Sequence, residues 1–269
     1  MTQRPKAKRL DKKLPFKSKQ VVHSNQTNTF KIDSLSALLD YAKYKPSAIV
    51  KVQCHSKHKA KIEKQCPAIL DKVELLDGKA KSESESAFNA EVKVVPLREA
   101  DFKERVPNRD FDIILALDHI TDPRNLGALA RTCAFFGIEE ILVTKNRQVS
   151  LTDASVATSQ GAFSLTNLVI LTNLVRTLEY LKQQGYWIIG CEKGGECVES
   201  IQAKYEKVVL VLGSEDKGLS PLVRKTCDLF VGIEGSQRCL DSLNVSVAGG
   251  ILLRAFHFGQ KSKIKMKNS

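Results

Sequence analysis

From residue 111 onward, wholly apolar runs alternate with segments of helical periodicity, and this alternation limits the chain to few folds. Phe111 to Asp118, Glu140 to Thr144, Leu168 to Ile170, Tyr186 to Cys191, Lys207 to Gly213 and Phe230 to Ile233 read as strands. Between them, Arg124–Phe136, Asp153–Ser159 and Asn173–Gln184 read as helices, with Gly137 and Gly185 as stops. Ser220 reads as the cap of a short helix with Pro221 at its first position. Strands apolar on both faces, separated by helices, predict an α/β domain with a parallel sheet. In such sheets ligands bind beyond the carboxyl ends of the strands.

The last of these helices begins within Asp241-Ser242-Leu243-Asn244-Val245-Ser246-Val247-Ala248-Gly249-Gly250 and continues into Ile251-Leu252-Leu253-Arg254-Ala255-Phe256. Small polar residues before an apolar run are an N-cap signal. Ser242, Asn244 and Ser246 would then sit beside the free N–H groups of the first turn, as a polar corner on a buried helix.

The segment before residue 111 is different. Residues 28–97 read as a small αβαβ unit. It has a helix at Leu35–Ala42 that Asp33 or Ser34 could cap, a strand at Ala48–Val52, a helix at Lys59–Leu70 and a strand at Val92–Val95. Residues 79–87 read as a polar loop, and the charged stretch 98–110 as a linker. Cys54, His55, His58 and Cys66 fit no zinc spacing, so no metal is expected. Their Lys-rich surroundings suit RNA phosphates better.

The net charge of +12 is concentrated at the ends. Residues 1–20 carry +7 and residues 259–269 carry +4, leaving +1 for the rest. Basic tails (1–27 and 259–269) on a neutral body suit a nucleic-acid backbone, where affinity comes from counterion release. No apolar run approaches a membrane span, and residues 1–27 lack the apolar core of a secretory signal. The seven scattered cysteines contain no CxxC. They point to a reduced, cytoplasmic protein.

Three polar stretches each follow a buried strand. The first is Asn125-Leu126-Gly127-Ala128-Leu129-Ala130-Arg131-Thr132. The second is Leu212-Gly213-Ser214-Glu215-Asp216-Lys217-Gly218-Leu219, and the third is Ser242-Leu243-Asn244-Val245-Ser246. Arg131 lies six residues after Asn125, nearly two turns later, and is expected on roughly the same side of its helix. Taken in order, the three stretches resemble the three motifs of the SpoU/TrmH family of the SPOUT superfamily. These are S-adenosyl-L-methionine (AdoMet)-dependent RNA 2′-O-ribose methyltransferases. The resemblance spans residues 112–258. The preceding small unit resembles, by position, the RNA-binding domain of members that modify ribosomal RNA.

The resemblance implies a SPOUT fold over 111–258, with a parallel sheet and a C-terminal deep trefoil knot, and a homodimer with Arg131 acting near or across the interface. It implies AdoMet held largely by backbone groups of Leu212, Gly213, Ile233 and Leu243, with Asn244. It assigns the reaction to Arg131, Asn125, Glu215, Ser242 and Asn244, with Glu215 holding Arg131 or pinning the loop after its strand. An arginine stays protonated, so Arg131 suits a phosphate clamp better than a base. Ribosomal RNA is the favoured substrate over tRNA. A non-catalytic RNA-binding or ribosome-assembly protein with the same fold is the alternative. Ile233 is followed by Glu234, where many members have a proline.

Overall fold

The computed structural model describes residues 28–76, 88–108, 112–145, 151–201, 203–236 and 242–267, with side chains described up to residue 260. The expected tail at 1–27, the loop at 79–87 and the cofactor-loop residues 237–241 lie outside the described residues.

The small unit comprises β1 (Thr29–Ile32), α1 (Leu35–Tyr44), β2 (Ile49–Cys54), α2 (Ser56–Gln65), β3 (Val73–Leu75) and β4 (Phe88–Lys93). Its sheet has the order β1-β4-β2-β3, with β4 antiparallel to both neighbours and β3 parallel to β2. The sequence reading missed β1 and β3, which are short and carry charged residues. Ser34 caps α1 through its Oγ, which accepts the Ala37 N–H at 3.3 Å. The helix expected at Lys59–Leu70 ends instead at Gln65, and Pro67 opens a separate 3₁₀ turn (Pro67–Lys72). A proline has no N–H to continue the ladder, and it pushes the residue before it out of helical geometry. Cys66 accordingly has φ −142°.

The larger sheet is built from β5 (Leu97–Arg98), α3 (Glu99–Arg105), β6 (Asp112–Asp118), α4 (Pro123–Phe136), β7 (Glu140–Thr144), α5 (Asp153–Ser159), β8 (Asn167–Leu171), α6 (Leu174–Gln183), β9 (Trp187–Cys197), α7 (Val198–Ile201), β10 (Lys207–Gly213), α8 (Pro221–Thr226), β11 (Leu229–Gly232) and α9 (Val245–Lys267). The strand order is β11-β9-β10-β6-β7-β8-β5, parallel throughout. Residues 98–110, read as a linker, therefore hold a strand and a helix of this sheet. The charges of Glu99–Arg105 masked Phe102 and Val106, four apart and both fully buried. Glu99 fixes the helix start by accepting hydrogen bonds from Thr172 N, Thr177 Oγ1 and Lys103 Nζ.

Alternation along each strand sends side chains to two cores. Ile113, Leu115 and Leu117 of β6, with Val208, Leu210 and Leu212 of β10, join the core that continues into the small unit. Ile114, Ala116, Val209 and Val211 face the core covered by α3, α6 and α8. Each buried aliphatic side chain contributes about 1.5–3 kcal/mol.

Helix α9 runs through the residues read as a C-terminal basic tail, as far as Lys267. Leu252, Leu253, Ala255 and Phe256 are buried, and Gly249 brings the helix against Leu129 and Leu212. Gln260 ties it down, with its Nε2 donating to Asp112 O at 3.1 Å and Glu206 O at 2.8 Å. Gln, Lys and Met are good helix formers, so charge alone does not stop the helix there.

The small unit seats on the larger one through α1. Gly161 has φ +91°, and a Cβ there would lie 3.1 Å from Ala37 Cα. Gly161→Ala is expected to destabilise the protein by about 1–3 kcal/mol, measured as a lower urea midpoint. An unchanged midpoint would show that this contact can relax freely.

Candidate active site

From β6 the chain moves outward in one direction through β7 and β8, and β10, β9 and β11 lie on the other side. The switch point lies between β6 and β10, whose last residues Asp118 and Gly213 face each other in register. In open α/β sheets the crevice beyond the carboxyl ends at such a point is where ligands bind.

Each wall is set by local sequence. Asp122 caps α4 by accepting the Arg124 N–H at 2.8 Å, and Pro123 takes the first helical position. This places Asn125 in the first turn, only 9% exposed. After β10 the chain makes a tight loop. Ser214 N donates to Gly218 O at 3.1 Å, and Gly218 N donates to Ser214 O at 2.9 Å. Gly218 has φ +63°, which the turn requires and which glycine adopts without strain. The loop carries Glu215 into the crevice. Asn244 is the N-cap of α9, its Oδ1 accepting Ser246 N at 2.9 Å and Ser246 Oγ at 2.6 Å.

These three residues meet. Asn244 Nδ2 donates to Glu215 Oε1 at 2.9 Å and to Asn125 Oδ1 at 3.1 Å. Asn125 Nδ2 and the Val245 backbone N–H each donate to the same Glu215 oxygen at 3.3 Å. One carboxylate oxygen therefore gathers three donors from two helices separated by 90 and 30 residues in sequence. Glu215 thereby ties the loop that follows β10 to α4 and to the start of α9.

Two expectations about Arg131 are corrected. Glu215 does not hold it: the Glu215 bonds go to Asn125, Asn244 and Val245. Nor does Arg131 share a side with Asn125. Six residues at about 100° each leave the two about 120° apart around the helix. Asn125 turns toward α9. Arg131 is exposed in a separate groove with Ser36, Asp40, Phe135 and Gln160. Among the described residues its guanidinium makes no hydrogen bond or ion pair.

The remaining expected residues stand at strand ends and just before α9. Leu212 is buried at the end of β10, Gly213 follows it, and Ile233 comes directly after β11. Ser242 and Leu243 are exposed just before α9, and Ser242 makes no hydrogen bond among the described residues. Ser220 stands at the N-cap of α8 with no side-chain capping bond.

Sequence reasoning did not single out Asp118. This buried carboxylate accepts the Ser220 N–H through Oδ2 at 2.6 Å and meets His119 Nδ1 through Oδ1 at 2.7 Å. It thus ties the far end of the Glu215 loop to β6. The signal was an acid closing a wholly apolar strand. Burial raises the Cys133 and Cys191 thiols and pushes Cys227 up to about 12, so these three stay protonated near neutral pH. Among the described residues no group of three or more His, Cys, Asp or Glu could hold a metal ion, and no helix is long and apolar enough to cross a membrane.

Asn244→Ala is expected to cost about 1 kcal/mol through loss of the cap, together with loss of the network. Asn244→Asp keeps a capping oxygen but sets an acceptor against Glu215, so stability should recover while function does not. Thermal melts beside activity would test this, and activity returning with stability would reduce Asn244 to a cap.

A model of the SpoU rRNA Methylase family matches residues 112–254. The chain is 39% identical over 181 residues to the 23S rRNA (guanosine-2'-O-)-methyltransferase RlmB of Shewanella oneidensis, covering 66% of this chain and 73% of that one. It is 41% identical over 141 residues to an uncharacterized tRNA/rRNA methyltransferase of Mycolicibacterium paratuberculosis, covering 52% of this chain and 45% of that one. In fold it is similar to the SpoU methyltransferase AviRb of Streptomyces viridochromogenes, crystallised with AdoMet. The TM-score there is 0.67 at 18% identity, covering 88% of this chain and 91% of that one.

Proposed function

The chain belongs to the SpoU rRNA Methylase family, and from that premise we propose that it methylates a ribose 2′-hydroxyl in structured RNA, with ribosomal RNA as the substrate. The observation that carries this reading is the Glu215–Asn125–Asn244 network, which joins all three family stretches at one crevice.

The cofactor is AdoMet, whose sulfonium supplies an electrophilic methyl group. The residues present suit it. Leu212 and Gly213 end β10 and Ile233 follows β11, so their backbone groups lie at strand ends, and Asn244 starts α9 beside the Glu215 loop. Leu243, 47% exposed just before α9, offers an apolar surface for a purine.

In the reaction the ribose oxygen bonds to the methyl carbon as the carbon–sulfur bond breaks, and the hydroxyl proton must leave. A guanidinium is a poor proton acceptor, so another group must take it. The role of Arg131 is to hold the phosphate beside the reacting ribose and stabilise the developing alkoxide. The phosphate oxygen is then available to take the proton. Asn125, Glu215 and Asn244 fix the crevice walls, and Ser242 is free to bond the ribose, so that oxygen, carbon and sulfur align.

A single chain holds Arg131 apart from the crevice, which supports a homodimer in which one protomer supplies Arg131 to its partner's cofactor site. The exposed side chains Val247, Ile251 and Phe258 form a stripe along α9 that suits this contact. A C-terminal deep trefoil knot belongs to the same reading, as do the small unit (28–97) as an RNA-binding domain and a cytoplasmic location.

The test is methyl transfer from labelled AdoMet to ribosomal RNA and tRNA from cells lacking the gene. Label at one alkali-resistant bond in ribosomal RNA is expected. Label in tRNA would move the substrate, and no label together with no AdoMet binding would refute an enzyme.

A further inference from the structure

Arg131 and Phe135 lie four residues apart on the face of α4 turned away from α9, and they line one side of a groove. Ser36 and Asp40 of α1, from the small unit, line the other side, with Gln160 and Leu165 at the end. The groove encloses about 340 Å³, within the roughly 300–1,000 Å³ of small-ligand sites. Phe135 is 84% exposed, although the neighbouring Phe136 packs against His257. Gln160 is one of two non-glycine residues with positive φ among the described residues, at +48°. Such strained backbone gathers at functional sites. Its Nε2 donates to Ala157 O at 2.9 Å, which fixes the amide and leaves one N–H and the oxygen for a ligand. Asp40 makes no hydrogen bond or ion pair among the described residues.

We propose that this groove receives the base of the methylated nucleotide, and that the base is guanine. The proposal rests on Arg131 holding the phosphate of the reacting nucleotide. RNA is read in sequence by bases turned out of the stack, set against an aromatic ring and bonded on their Watson–Crick edge. Phe135 supplies the ring, and Leu165 a second apolar side chain of the lining. A carboxylate only accepts hydrogen bonds, so it selects an edge of donors. Guanine presents two adjacent donors, N1–H and N2–H, to the two Asp40 oxygens, and its O6 can accept the remaining Gln160 N–H. Adenine and cytosine place a bare ring nitrogen beside their amino group, which a carboxylate repels. Uracil presents a single N–H between two acceptors. Because the groove lies between two units, recognition of the base also couples the small unit to the position of Arg131.

The experiment uses the full chain, labelled AdoMet and ribosomal RNA from cells lacking the gene. The labelled RNA is digested to nucleosides, and the sedimentation of each variant is recorded. The wild type is expected to yield 2′-O-methylguanosine. Phe135→Ala and Asp40→Asn should each lower kcat/KM by roughly tenfold or more with AdoMet affinity unchanged. Phe135→Tyr, which keeps a stacking ring, should stay close to the wild type. A different methylated nucleoside overturns the choice of guanine. Wild-type rates in both loss variants overturn the groove as a base site. If the loss in Phe135→Ala tracks dissociation in the centrifuge, the face belongs to a second copy and the proposal falls. If the wild type itself transfers nothing to ribosomal RNA or tRNA, the methyltransferase reading fails first and takes the groove proposal with it.

Discussion

Arg131→Ala is expected to lower methyl transfer by roughly 100- to 1,000-fold while leaving the melting temperature and AdoMet affinity unchanged. The structure explains this separation. The Arg131 side chain is exposed and makes no bond to any other described residue, so its removal leaves no buried group unsatisfied and opens no cavity. The lost function is electrostatic. A guanidinium aimed at a phosphate presents a planar fork of positively charged donors. Arg131→Lys keeps the charge but not the fork, and should recover only part of the rate. Mixing Arg131→Ala protomers with protomers impaired at the cofactor crevice tests the dimer arrangement. If Arg131 acts across the interface, a mixed dimer has one intact composite site, so part of the activity returns. No recovery on mixing, with dimers verified, would place both halves of the site in one chain. A rate loss accompanied by a lowered melting temperature would make Arg131 a structural residue.

Gly213→Ala is expected to abolish AdoMet binding, read as loss of ligand-induced thermal stabilisation and of transfer at every cofactor concentration tested. A Cβ at Gly213 would enter the backbone of Gly218 and lie 2.5 Å from Leu219 N. Those atoms belong to the return arm of the loop, which is closed by the Ser214–Gly218 pair of hydrogen bonds and anchored by Asp118 to Ser220 N. A backbone clash of this kind cannot be relieved by turning a flexible side chain, so the loop must open. Opening it carries Glu215 away from Asn125, Asn244 and the first N–H of α9. The effect should therefore resemble that of Glu215→Ala at the crevice, and combining the two should cost little more than the first alone. Retained AdoMet affinity in Gly213→Ala would show that the loop is not part of the cofactor site.

The parallel sheet was legible because its strands are buried on both faces. Burial on both faces writes itself into sequence as uninterrupted runs such as Ile113–Leu117 and Val208–Leu212, and β6, β7 and β10 fall where those runs lie. The small unit was harder to read. Its strands have one covered face and carry lysines and glutamates on the other, so β1 left no distinct mark. The stretch 98–110 was misread for a related reason. Its dense charge hid Phe102 and Val106, two residues at helical spacing that only a tertiary partner makes informative.

The sequence by itself determined which residue types the site contains, because Asn125, Glu215 and Asn244 each stand just beyond a strand or at a helix start, where local rules place them. Only the tertiary structure decided how they join. One carboxylate oxygen of Glu215 bonds partners from α4 and from the start of α9. The fold also set Arg131 on another face, beside α1 of the small unit. Local sequence fixes backbone geometry over a turn or two. Which face of a helix meets which distant segment depends on the packing of whole elements, and no short stretch of the chain contains that information.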